Sequence, residues 1–186
     1  MLSHFDLAAP IYDRILGRLD MATLYDLLDL PVRGALLDAG GGTGRVSWPI
    51  RSRVGKVVIS DLSPAMLVRA RQKGGVHVLQ AHAERLPFAD NTFARIVVVD
   101  ALHHFCDQEA AVADLLRVLA WGGRMVIEEP DIHRLPVKII AVMEKLALMR
   151  SRFLSVESIA RIVEQNGYSP ETRTGHPASA WVIVDK

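Results

Sequence analysis

The 186 residues suffice for one domain with one core, and with 50% hydrophobic and 23% charged residues they exclude a disordered, collagenous or low-complexity chain. Lys and Arg number 22 against 21 Asp and Glu, so a net charge of +1 gives no overall field for polyanions and disfavours a nucleic-acid partner, local basic patches aside. A single cysteine, Cys106, excludes an intramolecular disulfide framework and points to a reducing, cytoplasmic setting.

The start MLSHFDLAAP lacks the basic and apolar segments of a secretory signal, and no apolar run reaches the roughly 18 residues that span a bilayer, so no stable membrane insertion is expected. Residues 10–30 read as one or two helices with Leu and Ile on one face, an N-terminal helical cover over residues 1–30. Short β-branched runs then alternate with helical stretches, the pattern of parallel strands joined by crossover helices, and the fold class is α/β. The strands are predicted over 35–38, 56–60, 76–80, 94–100 and 123–128, with the unbroken Ile96-Val97-Val98-Val99 marking a central strand covered on both faces. Ser63 with Pro64 opens one helix, and another runs over 107–119 to a stop at Gly122-Gly123. Farther on, 135–149 is an apolar, Met-rich helical stretch, and 156–166 is a helix closed by Gly167. The tail reads as two strands, 169–174 and 180–184, around Gly175-His176-Pro177, a terminal antiparallel pair.

The segment LLDAGGGTGR carries the chemistry. An apolar strand runs into Asp38, then Gly40-Gly41-Gly42-Thr43-Gly44, then a helix. Glycines let a backbone turn sharply and approach a ligand, and N–H groups at a helix start attract negative charge. A plain turn has no need of so many glycines, which raise the entropy lost on folding. A dinucleotide site wants Gly-x-Gly-x-x-Gly, whereas Gly40, Gly42 and Gly44 run at intervals of two. Asp38 would repel a pyrophosphate but tolerates an ammonium or sulfonium group. Asp61, at the tip of the second strand, suits the two hydroxyls of a ribose, a role that nicotinamide enzymes share, so that residue alone does not discriminate.

Together with Phe5-Asp6, Tyr12-Asp13, ISDLSPAML, AERLPFADNTFARIVVVDALHHF and LLRVLAWGGRMVI, this segment resembles the class I S-adenosylmethionine-dependent methyltransferases, in particular the small-molecule branch with the ubiquinone and menaquinone biosynthesis methyltransferases. The resemblance covers nearly the whole chain. It implies a Rossmann-like, mostly parallel seven-stranded sheet with a terminal antiparallel hairpin and helices on both faces. It also implies a single domain over 1–186, with a short substrate cover over 130–154. By it Gly40, Gly41, Gly42, Thr43 and Gly44 pack beneath the methionyl part of S-adenosylmethionine, Asp38 lies near its amino group, and Asp61 holds the ribose. Leu62 and Met66 flank the adenine, His82, Ala83 and Glu84 line its edge, Asp100 and Ala101 border the sulfonium, and Tyr12 closes over the methionine end. The chain departs from the family in three places: His82 stands where an Asp is frequent, Trp121 where Pro is usual, and the cover is short.

Methyl transfer from a sulfonium removes positive charge, so alignment and exclusion of water matter more than any obligatory group. A phenol, enediol or activated ring carbon gains from a general base, and His103 and His104, just after Asp100, are the candidates, with His104 marginally ahead. Adjacent side chains diverge, so at most one of the two faces the pocket; the plain alternative is packing or capping. Asp131 and His133 are lining groups rather than metal ligands, and no metal is expected. His176 reads as polar surface. Met143 and Met149 suit a lid over a lipophilic acceptor, or an ordinary core helix or dimer contact, while Arg150 and Arg152 beside it suit an anionic head group or solvent. Methyl transfer to a small, apolar molecule, with S-adenosylhomocysteine as product, is therefore expected. An RNA or protein methyltransferase, a nicotinamide oxidoreductase and a non-catalytic cofactor-binding module are the alternatives; the Asn/Asp-Pro-Pro-aromatic signature is absent after Val99, where Asp100-Ala101-Leu102-His103 stands. Oligomeric state stays open, a dimer being compatible.

Overall fold

Runs of residues covered on both faces draw the chain into one sheet in the computed structural model, which describes residues 21–130, 152–174 and 179–186. In chain order its elements are α1 (Met21–Leu27), β1 (Val32–Ala39), the single turn α2 (Ser47–Ile50), a 3-10 turn Arg51–Arg53, β2 (Val54–Asp61), α3 (Pro64–Gln72) and β3 (His77–Gln80). There follow β4 (Phe93–Val99), a 3-10 turn Leu102–His104, α4 (Gln108–Val118), β5 (Leu119–Pro130), α5 (Val156–Gln165), β6 (Pro170–Thr174) and β7 (Ser179–Asp185). The order across the sheet is β3-β2-β1-β4-β5-β7-β6. Neighbours from β3 to β5 are parallel, and β7 runs antiparallel to both β5 and β6. The α/β class, the mostly parallel sheet and the terminal antiparallel pair are as expected.

Ile96, Val97 and Val98 of β4 are fully buried, as a middle strand flanked by helices on both faces requires. One face packs on α4 and α5 through Val112, Leu115, Ile159 and Val163; the other packs on α1 and the β1–β3 crossovers through Leu24, Leu28, Ile50 and Leu67. Three caps place helix starts where the sequence puts them: Ser63 accepts from the Met66 N–H, Asp107 from Ala110 and Ser155 from Ser158.

Two predicted boundaries are corrected. The helix over 107–119 ends at Val118 and does not run to Gly122-Gly123, because Leu119 already pairs with Phe93 in the sheet. The glycines lie inside β5, at the register shift between Phe93 and Arg95. There the Gly122 backbone has φ 72° and its N–H donates to the Lys186 carbonyl at 2.7 Å. The helix expected after the glycine loop is the single turn α2 followed by a 3-10 turn. Of the N-terminal helices only α1 is described. Tyr12, Asp131, His133, Arg150, His176 and the 135–149 helix lie outside the described residues.

Candidate functional site

Parallel strands send their C-terminal ends to one edge of the sheet, the edge where open α/β sheets bind ligands. Four acids collect there: Asp38 near the end of β1, Asp61 closing β2, Asp100 just after β4, and Glu129 near the end of β5. Each is held differently, and the differences define the site.

The loop after β1 folds over its neighbours. Gly40 has φ 70°, and a Cβ there would lie 2.6 Å from the Ala101 Cβ; Gly44 has φ 72°, and a Cβ there would lie 2.7 Å from Ile59 Cδ1. Both positions therefore demand glycine, for the left-handed backbone and for the close approach. The Gly40 and Gly41 N–H groups donate to the Ser60 carbonyl at 2.8 and 3.2 Å, Gly42 donates to Asp61 Oδ2 at 2.9 Å, and Gly44 to the Gly41 carbonyl at 2.8 Å. The expectation of open N–H groups at the loop is thus corrected: these four point inward and already have acceptors, so they build no phosphate cradle. Thr43 is buried between them.

Asp38 is 1% exposed, and its Oδ2 has no hydrogen-bond partner. Burial pushes its carboxyl up to about 6, with Ser47 and the Arg45 charge only partly opposing, and with Asp61 adding repulsion. A buried carboxylate oxygen with nothing to accept from is suited to an incoming ammonium. Asp61 accepts from Gly42 through Oδ2 and from the Ser63 N–H through Oδ1 at 2.8 Å, which fixes the carboxylate plane while each oxygen keeps a second lone pair for a hydroxyl. Met66 is buried with Sδ 4.0 Å from where a Gly42 Cβ would stand; Leu62 is 45% exposed at the rim. His82 is exposed, with Nδ1 3.6 Å from Glu84 Oε2. Ala83 is buried, and Glu84 Oε1 accepts from the Cys106 and Asp107 N–H groups at 2.8 and 3.1 Å, bracing the turn before α4.

Asp100 adopts φ 51°, and its Oδ2 meets Arg45 Nη2 at 2.5 Å. Ala101 packs against Gly40, and its N–H donates to Glu129 Oε1 at 3.0 Å. Among the described residues the structure thus brings the loop, Asp38, Asp61, Asp100 and Ala101 together, with His103 and His104 on the next turn. His104 is driven down to about 3 by burial and then by the neighbouring His103, so it is neutral at physiological pH and a weak base. His103 is buried, with Nδ1 2.6 Å from Glu129 Oε2 and its ring stacked on Phe153 at 4.4 Å. A cavity of about 240 Å³ between the start of α4 and α5, lined among others by Gln108, Arg152 and Arg161, includes none of the predicted cofactor residues.

Two site residues escaped the sequence reading. Arg45 follows Gly44 directly, and its only signal was a cation placed in a loop read for a cationic ligand. Glu129 closes an apolar strand in Val126-Ile127-Glu128-Glu129, where a carboxylate entering a buried strand end needs partners.

Residues 37–127 match the family model described as a methyltransferase domain. The ubiquinone/menaquinone biosynthesis C-methyltransferase UbiE of Idiomarina loihiensis is 41% identical over 104 residues, 50% of this chain and 41% of that protein. The protein of the same name from Francisella tularensis subsp. novicida is 32% identical over 152 residues, 76% of this chain and 60% of that protein. The chain therefore spans roughly half the length of these curated relatives. In fold it matches an SAM-dependent methyltransferase from Thermotoga maritima with a TM-score of 0.81 at 22% identity, over 98% of this chain and 97% of that one. The chain carries a class I S-adenosylmethionine-dependent methyltransferase domain similar to that of UbiE, and S-adenosylmethionine is its cofactor.

Proposed function

We propose that this methyltransferase domain methylates a small, lipophilic acceptor of quinol or phenol type by direct displacement, with His103 as the base. The observation that carries the cofactor half of this reading is the pairing of an unsatisfied buried carboxylate, Asp38, with a loop whose N–H groups face inward. That combination suits an amino acid ammonium and disfavours a pyrophosphate. The quinol class is carried by the names of the curated relatives.

When bound, S-adenosylmethionine supplies a methyl group whose bond to sulfur breaks with the electron pair returning to sulfur. Asp38 receives the ammonium, Asp61 the ribose hydroxyls, and Leu62 and Met66 the adenine, with Ala83 and His82 along its edge. Tyr12 and the 130–154 cover exclude water. Asp100, held by Arg45, fixes the wall between cofactor and acceptor. Ring burial leaves His104 too weak a base to draw a proton efficiently at neutral pH, whereas His103 has a carboxylate on its far nitrogen. Among the described residues no helix is long and apolar enough to cross a membrane, and with one exposed cysteine the proposed setting is the cytoplasm.

Calorimetric titration with S-adenosylmethionine, S-adenosylhomocysteine and NADH tests the cofactor half: micromolar binding of the two adenosyl ligands and none of NADH is the expected result. Binding of NADH alone, or of nothing, overturns it. A screen of quinols and phenols with the binding-competent protein tests the acceptor, and turnover only on RNA or protein would replace it.

A further inference from the structure

Glu129 makes three hydrogen bonds from a position 4% exposed. Its Oε1 accepts from the Ala101 and Leu102 N–H groups at 3.0 and 2.8 Å, and its Oε2 lies 2.6 Å from His103 Nδ1. The two N–H donors fix the carboxylate plane, so the second oxygen is aimed at the imidazole and cannot swing away without abandoning both. A carboxylate has no proton to give, and a short contact to a ring nitrogen therefore requires that nitrogen to carry the hydrogen. Phe153, stacked on the ring within 15° of parallel, holds its plane, and the Arg152 N–H bonded to the His103 carbonyl at 2.8 Å holds its backbone.

We propose that Glu129 is a positioning residue that makes His103 a one-sided base: it keeps the proton on Nδ1 and so assigns Nε2 as the nitrogen that takes the acceptor's proton. This rests on the methyltransferase reading above. In the step, the acceptor's O–H or C–H bond breaks with its pair staying on the acceptor, and a new N–H bond forms from the Nε2 lone pair. The resulting imidazolium has its positive charge against the Glu129 carboxylate. A hydrogen-bonded orienting group behind a base is the arrangement by which a histidine is held in one tautomer and its charged form is stabilised. His104, 4.0 Å away ring to ring, is kept neutral by its burial and adds no competing charge.

The variant Glu129→Gln separates the positioning role from the structural one. Its amide oxygen still accepts from Ala101 and Leu102, while its amide NH2 faces Nδ1 and forces the ring proton to Nε2. Nitrogen-15 NMR of the imidazole, assigned with His103→Gln, reads the tautomer directly. The expected result is a proton on Nδ1 in the native protein and on Nε2 in the variant, with S-adenosylhomocysteine affinity unchanged. With a water-soluble 1,4-naphthohydroquinone as probe acceptor, kcat falls by about 10²-fold or more, the scale of a lost general base, at little change in cofactor KM. A native ring protonated on Nε2, or a tautomer that Glu129→Gln leaves alone, overturns the proposal, as does a variant with native kcat on the probe. Absence of S-adenosylhomocysteine binding by the native protein sinks the cofactor reading instead, and leaves the tautomer result to decide this one.

Discussion

Asp38 and Glu129 sit at strand ends on the same edge of the sheet, 1% and 4% exposed, and they are wired in opposite ways. Glu129 has donors on both oxygens, two of them main-chain. Asp38 has an oxygen with none, and burial lifts its carboxyl to about 6. A buried carboxylate that the fold has already satisfied belongs to the protein; one that the fold leaves unsatisfied is held for a ligand, at a standing cost to the unliganded state. Asp61 lies between the two, with one backbone donor on each oxygen and lone pairs to spare.

The largest expected effect tests the satisfied end. Glu129→Ala strands the Ala101 and Leu102 N–H groups and the His103 ring in a buried site, and should lower stability by about 3–5 kcal/mol, read by chemical denaturation. A loss below about 1 kcal/mol would mean that water replaces the carboxylate and that Glu129 is no keystone of the turn.

Asp38→Asn comes next and should act in the opposite sense. The displacement from 3.8 to about 6 corresponds to roughly 2–3 kcal/mol of burial cost at pH 7. Because the folded protein holds this proton more tightly than the unfolded chain, Asp38 contributes most below pH 4, and that contribution is lost as pH rises to about 6. The variant should therefore be more stable than the native protein at pH 7 and no more stable at pH 4. His104 slopes the other way: with its folded value near 3, below the ordinary 6.5, its contribution is full above pH 6.5 and is lost as pH falls toward 3. Only the difference between variant and native curves isolates Asp38. Cofactor affinity of the variant should drop, and native binding should release a proton when measured near pH 6 in buffers of different ionisation enthalpy.

Asp61→Ala should weaken S-adenosylmethionine by about 1–3 kcal/mol, the range for lost hydrogen bonds to a charged group, with a smaller change in stability. Unchanged affinity would remove Asp61 from the ribose site. Arg45→Gln is expected to be mildest, within about 1 kcal/mol of stability, since the Arg45–Asp100 pair lies near solvent with side chains 14% and 26% exposed.

These residues also mark what a linear sequence carries. β4 was legible because Ile96 to Val99 is apolar without interruption, and the loop and Asp61 because strand, glycines and acid lie close along the chain. Gly122-Gly123 misled because a glycine pair ends helices and makes strand bulges alike, and only the pairing of Leu119 with Phe93 decides between them. Glu129 was missed because its partners, Ala101 to His103, lie a strand and a helix earlier, and no local pattern announces a contact at that separation. The altered proton affinity of Asp38 is likewise a property of the packed site: the letter Asp is the same in solvent and in the core.

The antiparallel insertion of β7 between β5 and β6 also bears on how the chain is made. While a ribosome releases the chain in order, β1 to β5 can pair as they emerge, but Met125, Val126 and Ile127 of β5 find their partners only in Val182 to Val184. Until that segment arrives, β5 is a long apolar edge with unpaired backbone, the kind of edge that recruits strands from other chains. Premature release anywhere between Pro130 and Ser179 should therefore yield a nearly whole sheet that aggregates, which makes the last strand a checkpoint on translation as much as a piece of the fold.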